Sequence, residues 1–530
     1  PISNLGGGSD SILFTAAANA TVDGGLDSDV VSGGTFNDFI TVVGVESVSG
    51  DGGNDTIAVN DSTLVTISAG DGNDAIDLFD GANDNVTATG FATVDGGNGT
   101  DIMAGSFGND LVSLTNVETF DAATGNDTVT ADSSLVTVLL GGGDDVLTYT
   151  AAANATVDGG SGADTVTVST GNVNDVFQLA NVESVNSGNG SDTITFTAAA
   201  MATVNAGGGV DSVSGSSGND TLTFDTNSVE SADGGAGTDS LQFTGNGAQL
   251  ITLAGFESIN SGTGNDSITL SAANTAVVTI DAGAGNADAV SASGGADSLI
   301  VSGLENLSTG GGADNVTIND ATPITVDLGG GNDELVFGVA PTNATIIGGA
   351  GNDTVTGTSA ADVLTVDLQG GANDIVNLLG GNDLYTSQGA GNQSVNGGAG
   401  FDQYTSGAGA SDTFVFTVGE TASNTGTDAD LISNFIAAED DVAFTGGVAG
   451  TTGNYVEGTT ADFAAAVQFA EGTGGFGAGV VYVFVETNDG NSYLFFDADN
   501  NGQLNPTGDA VVTFAGISSG AFSEADIVAG

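Results

Sequence analysis

Aspartates that close glycine-rich turns are the residues of this chain best suited to chemistry. The pattern G-x-G-x-D or G-G-x-D, followed at once by an alternating apolar strand, recurs through residues 1–412, as in Gly52-Gly53-Asn54-Asp55-Thr56-Ile57, Gly188-Asn189-Gly190-Ser191-Asp192-Thr193-Ile194 and Gly349-Ala350-Gly351-Asn352-Asp353-Thr354-Val355. Glycines let the backbone turn tightly and aim carbonyl oxygens inward, and the aspartate adds a hard anionic oxygen, a ligand set that suits Ca²⁺. Candidate ligands are Asp55, Asp74, Asp127, Asp145, Asp164, Asp192, Asp211, Asp239, Asp266, Asp314, Asp333, Asp353, Asp362, Asp374, Asp383 and Asp402. Asp-Gly and Asn-Asp also suit metal-free turns. Plain turns, however, do not need a glycine register kept over so many residues.

Spacing sets the elements that must position these carboxylates. Asp38 to Asp55 is 17 residues, Asp55 to Asp74 is 19 and Asp127 to Asp145 is 18, whereas Asp101 to Asp110, Asp211 to Asp220, Asp288 to Asp297 and Asp353 to Asp362 are each 9. A period near 18 with a half-period of 9 is expected when each coil holds two short strands and two turns. A second register lies on top of it: Glu46/Asp55, Glu118/Asp127, Glu183/Asp192, Glu230/Asp239, Glu257/Asp266 and Glu305/Asp314 are all nine apart. Between turns, Thr56-Ile57-Ala58-Val59 and Thr193-Ile194-Thr195-Phe196 alternate with a period of two, as half-buried strands do. The expected fold is all-β: a parallel β-solenoid over residues 1–411, of roughly 20 coils and on the order of 100 Å long. Ala151-Ala152-Ala153 and Ala198-Ala199-Ala200 are too short for helices and are expected as corners.

Composition excludes much else. The chain has no Lys, Arg, His, Cys or Trp against 68 acidic residues, a formal charge of −68, so no side-chain salt bridge can form and condensed cations are the simplest remedy for self-repulsion. Binding to nucleic acid or to an anionic membrane through basic side chains is excluded. Ser-His triads, Cys nucleophiles, Schiff bases and N/S zinc sites are absent too. A carboxylate pair could hydrolyse a glycosidic bond, but nothing marks out two among dozens, so no enzyme is expected. No apolar run is long enough for a transmembrane helix, and residues 1–25 show no secretory n-region or h-region.

Near residue 412 the composition shifts. Half of the 26 Phe lie from Phe401 onward, and residues 412–530 are expected to form a β-rich cap. Thr459–Glu471 is expected to be its helix, capped by Thr, with Asp462 in the first turn and Gly472 as the stop. Val480–Val485 and Ser492–Phe496 are expected as adjacent strands around the Asn488-Asp489-Gly490 turn. The loop from Asp497 to Asn505 places oxygen ligands at positions 1, 3 and 5 (Asp497, Asp499, Asn501) and Gly502 at 6, the first half of an EF-hand-type calcium loop. Position 12 is Gly508 with Asp509 beside it, so a single calcium clip is expected instead of an EF-hand.

The nonapeptide Gly348-Gly349-Ala350-Gly351-Asn352-Asp353-Thr354-Val355-Thr356 resembles the haemolysin-type calcium-binding repeat of RTX exoproteins, and Asp412–Phe416, Asp430–Phe435 and Glu439–Val442 are similar to their terminal domain. The resemblance implies a β-roll holding several Ca²⁺ between turns and an uncleaved type I secretion signal, hence an extracellular or cell-surface location on a Gram-negative bacterium. Sites of this kind also need extracellular calcium levels. Because repeat covers most of the chain, it most resembles bacterial surface-layer and other self-assembling surface proteins. The expected function is a secreted calcium-binding structural protein that forms a surface layer or filament. Its partner would be itself, with a cell-surface polysaccharide as a second candidate, and neither nucleic acid nor membrane insertion. The alternative is a calcium-stiffened adhesin, or an ice- or glycan-binding solenoid using flat Thr-rich faces.

Overall fold

A computed structural model describes the chain apart from residues 1, 60–64, 78–90, 97, 99, 106, 170, 225–228, 245–247, 275, 372, 389–390, 409–410, 419–428, 473–474, 478 and 506–508. It is the expected all-β parallel solenoid. The chain divides into two compact units, Pro1–Gly262 and Thr263–Gly530.

Within the first unit, strands of three to five residues alternate between two parallel sheets, so that each strand pairs with the equivalent strand of the next coil. The period of two puts every second side chain inside. In one sheet Val112, Val129, Leu147, Val166 and Val185 stack in register; in the other Met103, Phe120 and Val138 do the same. All are buried, while flanking Thr128, Val146 and Thr137 are exposed. Each buried Val or Leu side chain contributes roughly 1.5–3 kcal/mol, and no strand is long enough to stand without its neighbours. Stacking, rather than strand propensity, is what stabilises the coils. Ala151–Ala153 and Ala198–Ala200 form corners, as their length required.

The second unit repeats this arrangement, with Leu299, Val316, Leu335, Val355, Val376, Val395, Phe414 and Val442 in one stacked column. Strand Thr413–Phe416 continues the coil pattern. Here the core turns aromatic: Tyr404 meets Tyr385, Phe414 and Phe416, and Phe416 leads through Phe444 to Tyr482 and Phe496. Strand Ala510–Ala515 joins the end of one sheet beside Leu431–Ser433, and Ile527–Ala529 joins the other beside Asp441–Phe444. The strands Tyr482–Thr487 and Asn491–Phe496 are the expected antiparallel hairpin. Helix Phe463–Glu471 packs Ala466 and Ala470 on Val483, Val485 and Phe495. Its cap differs from expectation: Thr459 and Thr460 belong to strand Tyr455–Thr460, and Asp462 is the N-cap, accepting from the Ala465 N–H at 2.9 Å. The strand uses the threonine backbone, which leaves Asp462 as the first side chain free to cap. Gly472 ends the helix as expected.

Candidate metal centres

Each candidate turn aspartate is buried, with Asp55 2 % exposed and Asp164 fully enclosed. What holds it there is a ladder. The N–H of one turn aspartate donates to Oδ1 of the aspartate in the next coil: Asp38 to Asp55 at 2.8 Å, Asp55 to Asp74 at 2.7 Å, and Asp74 to Asp101 at 2.7 Å. A parallel ladder runs Asp110, Asp127, Asp145, Asp164, and another Asp175, Asp192, Asp211; Asp220 donates to Asp239. In the second unit Asp314, Asp333, Asp353 and Asp374 form one ladder and Asp362, Asp383, Asp402 and Asp430 another. Asp266 donates to Asp288.

The nine-residue glutamate register now has a cause. Glu46, Glu118, Glu183, Glu230, Glu257 and Glu305 end the ladders, their Oε2 accepting from Asp29, Asp101, Asp164, Asp211, Asp239 and Asp288 at 2.6–2.8 Å. Glutamate corners are short. A left-handed residue such as Gly44 (φ 59°) or Asn116 (φ 53°) is followed by a buried apolar one, Val45 or Val117, and then Glu. The extra methylene lets glutamate from that tighter corner reach the column that aspartate reaches from the wide one. The Asp nine residues on belongs to the coil's opposite corner.

The residue before the aspartate supports a second rail running the other way. Asn54 N–H donates to Asn37 Oδ1 at 3.0 Å, Asn73 to Asn54 at 3.2 Å and Asn352 to Asn332 at 2.9 Å. The Asn-Asp dipeptide therefore points one side chain back and one forward. Neither rail needs a metal.

The second carboxylate oxygen has a different environment. Oδ2 of Asp38, Asp55, Asp74, Asp127, Asp192, Asp211, Asp239, Asp333 and Asp383 is buried with no hydrogen-bond donor. At Asp38, Asp55 and Asp164 it faces the glycine five residues earlier, whereas that position is Ala69, Ala122, Ser187, Ala206, Leu328 and Leu378 before Asp74, Asp127, Asp192, Asp211, Asp333 and Asp383. A Cβ placed on Gly50 would fall 2.5 Å from Asp55 Oδ2 and 2.3 Å from the Ala69 carbonyl oxygen of the next coil; on Gly159 it would fall 2.6 Å from Asp164 Oδ2 and 2.0 Å from the Asn181 carbonyl oxygen. At these glycine turns two electron-rich oxygens bracket a gap that any side chain would fill. A carboxylate oxygen left without a donor is costly to bury, by several kcal/mol on the order of a lost charged hydrogen bond. A hard cation would supply the missing positive charge, and the donor set of carboxylate plus backbone carbonyls fits Ca²⁺.

The electrostatics agree. Burial, opposed by the N–H donated from the preceding coil, pushes Asp55, Asp101, Asp211 and Asp333 up to about 6 and Asp127, Asp164 and Asp383 up to about 7. Carboxylates above and below in the column add to the rise.

At the loop after the hairpin, Asp497 and Asp499 meet Asp509, one oxygen from each lying within 4.8 Å of the others. Asp509 is the residue that position counting undervalued, because loop closure, not register, brings it in. Asn501 turns its amide Nδ2 to Asp499 at 2.7 Å, and its Oδ1 accepts from Gln503 N–H at 2.7 Å. Asp497 accepts from Asn501 and Gly502 N–H, and Asp509 from Ala498 and Asn505 N–H. Gly508, at position 12 of the expected loop, lies outside the described residues. No protein-family description matches the chain and no curated protein matches it, so its functional reading rests on this geometry.

Proposed function

We propose that the chain is a secreted calcium-binding structural protein of the RTX kind that self-assembles into a surface layer or extracellular filament. One observation carries the reading: buried Asp Oδ2 atoms without a hydrogen-bond donor repeat coil after coil, and at Asp38, Asp55 and Asp164 they face a glycine-sized gap. With 68 acidic and no basic side chains, cations alone can neutralise the stack. Millimolar calcium, and so an extracellular setting, is what sites of this kind require. The reading assigns the protein a mechanical role and no catalysis, since its carboxylates are committed to ladders and ions. Assembly is with further copies of itself, stiffened by the same ions.

Electron micrographs of concentrated protein with calcium, and again after chelation, test it together with elemental analysis. Ordered sheets or filaments that disperse in chelator are expected. A monodisperse monomer at millimolar calcium would remove self-assembly, and absence of bound calcium would remove the whole reading.

A further inference from the structure

Resting on that calcium reading, we infer that the residue four before each turn aspartate decides whether the turn takes an ion: turns of the form Gly-(Ser/Thr)-x-x-x-Asp are cation-free rungs of the solenoid. In Gly215-Ser216-Ser217-Gly218-Asn219-Asp220, the Ser216 N–H donates to Asp220 Oδ2 at 2.7 Å and its hydroxyl lies 3.1 Å from the same oxygen. In Gly357-Thr358-Ser359-Ala360-Ala361-Asp362, the Thr358 N–H donates to Asp362 Oδ2 at 2.7 Å and its hydroxyl reaches Oδ1 at 3.0 Å. Both carboxylates are as buried as their neighbours, at 1 % and 0 % exposure. Their second oxygen has the partner that Asp38, Asp55 and Asp383 lack.

Backbone conformation separates these two turns from most donorless ones, Asp175 and Asp288 being donorless without a positive φ at Gly171 or Ala284. Where the residue four before the aspartate is left-handed, as with Gly34 (φ 109°) before Asp38, Asp51 (φ 69°) before Asp55 or Leu379 (φ 70°) before Asp383, Oδ2 has no donor. A left-handed residue turns its N–H away from the carboxylate. Serine and threonine avoid positive φ, so the N–H stays aimed at the aspartate and the hydroxyl adds a second donor.

Place in the column is not what decides. Asp220 is the foot of its ladder, standing on the Ala198–Ala200 corner with Ala200 N–H donating to Oδ1 at 2.6 Å. Asp38 is likewise a foot, standing on Ala18 at 2.5 Å, yet its Oδ2 is donorless. The two differ at Ser216 against Gly34.

The experiment compares Asp→Asn variants, which keep Oδ1 as the ladder acceptor and remove the charge. Calcium per chain is measured by elemental analysis after gel filtration in saturating calcium, with circular dichroism as the folding check. Asp55→Asn and Asp38→Asn are expected to lose at least one ion each, and Asp220→Asn none. Asp383→Asn and Asp362→Asn repeat the contrast in the second unit, should the first set fail to fold. Equal losses at Asp220 and Asp38 would overturn the rule while leaving calcium binding intact. An unmodified protein with no calcium would overturn the calcium reading and the rule together.

Discussion

The repeat turns and the loop of residues 497–509 bury the same residue in opposite ways. Asp55 is 2 % exposed, Asp497 is fully enclosed and Asp509 is 1 % exposed, yet Asp497 and Asp509 have an N–H on each oxygen while Asp55 has one on Oδ1 alone. The loop turns its own N–H groups inward. The stacked turns spend theirs between coils: Gly53 donates to the Asp71 carbonyl and Gly72 to that of Asn98. Burial alone therefore does not separate the two regions; the count of donors left for the carboxylate does. Around the loop, the cap is also held by apolar contact, with Phe484 stacked on Phe522 at 4.5 Å and Phe435 edge-on to Phe514 at 5.2 Å.

Chelation should separate the two regions most sharply. If the turns hold calcium as proposed, excess EGTA is expected to abolish most of the far-ultraviolet β signal, because empty carboxylate columns would repel and metal binding would be coupled to folding. An unchanged spectrum would make the turns self-sufficient, like the loop.

Acid should partly replace the metal. The column carboxylates titrate above the ordinary 3.8, so the folded state favours their protonated form. The stabilisation from protonation is present at low pH and lost as pH rises through about 6 to 7. In chelator, the melting temperature is expected to climb as pH falls from about 8 to about 5. With saturating calcium that slope should flatten, since ions already occupy the columns; a slope unaffected by calcium would separate the titrating groups from the ion sites.

A cavity in the cap should act without regard to calcium. Phe484→Ala is expected to cost about 3–5 kcal/mol, measured as the same loss of stability at high and low calcium. Removing one rung should be smaller and local: Asp192→Ala leaves Asp175 N–H without its acceptor, and hydrogen exchange is expected to speed in the adjoining coils only, because each coil contacts its neighbours alone. Exchange that rises throughout the unit would show cooperativity beyond nearest neighbours. The smallest effect is Asp462→Ala, which removes the helix cap for about 1 kcal/mol, read from melting in calcium.

Much of this architecture is written in the sequence because a repeat states its contacts many times. The period near 18, the alternation of Ile57 or Phe196 with threonine, and the glycines all follow from local rules of turn and pleat, and they were sufficient for the parallel solenoid, its corners and the hairpin around Asn488-Asp489-Gly490. The nine-residue Glu-to-Asp register was visible as a number without a meaning. Only stacking gave it one, since Glu46 acts on Asp29 in one coil and Asp55 on Asp38 at the other corner. The same holds for the carboxylates themselves: sequence placed Asp55 and Asp362 in one class, and the tertiary structure divided them by the direction of a single N–H. Asp509 joined Asp497 and Asp499 through loop closure, which no linear count encodes. Residue types fix which oxygens exist, but whether a buried oxygen finds a donor depends on the coil above, the coil below and the sign of one backbone angle.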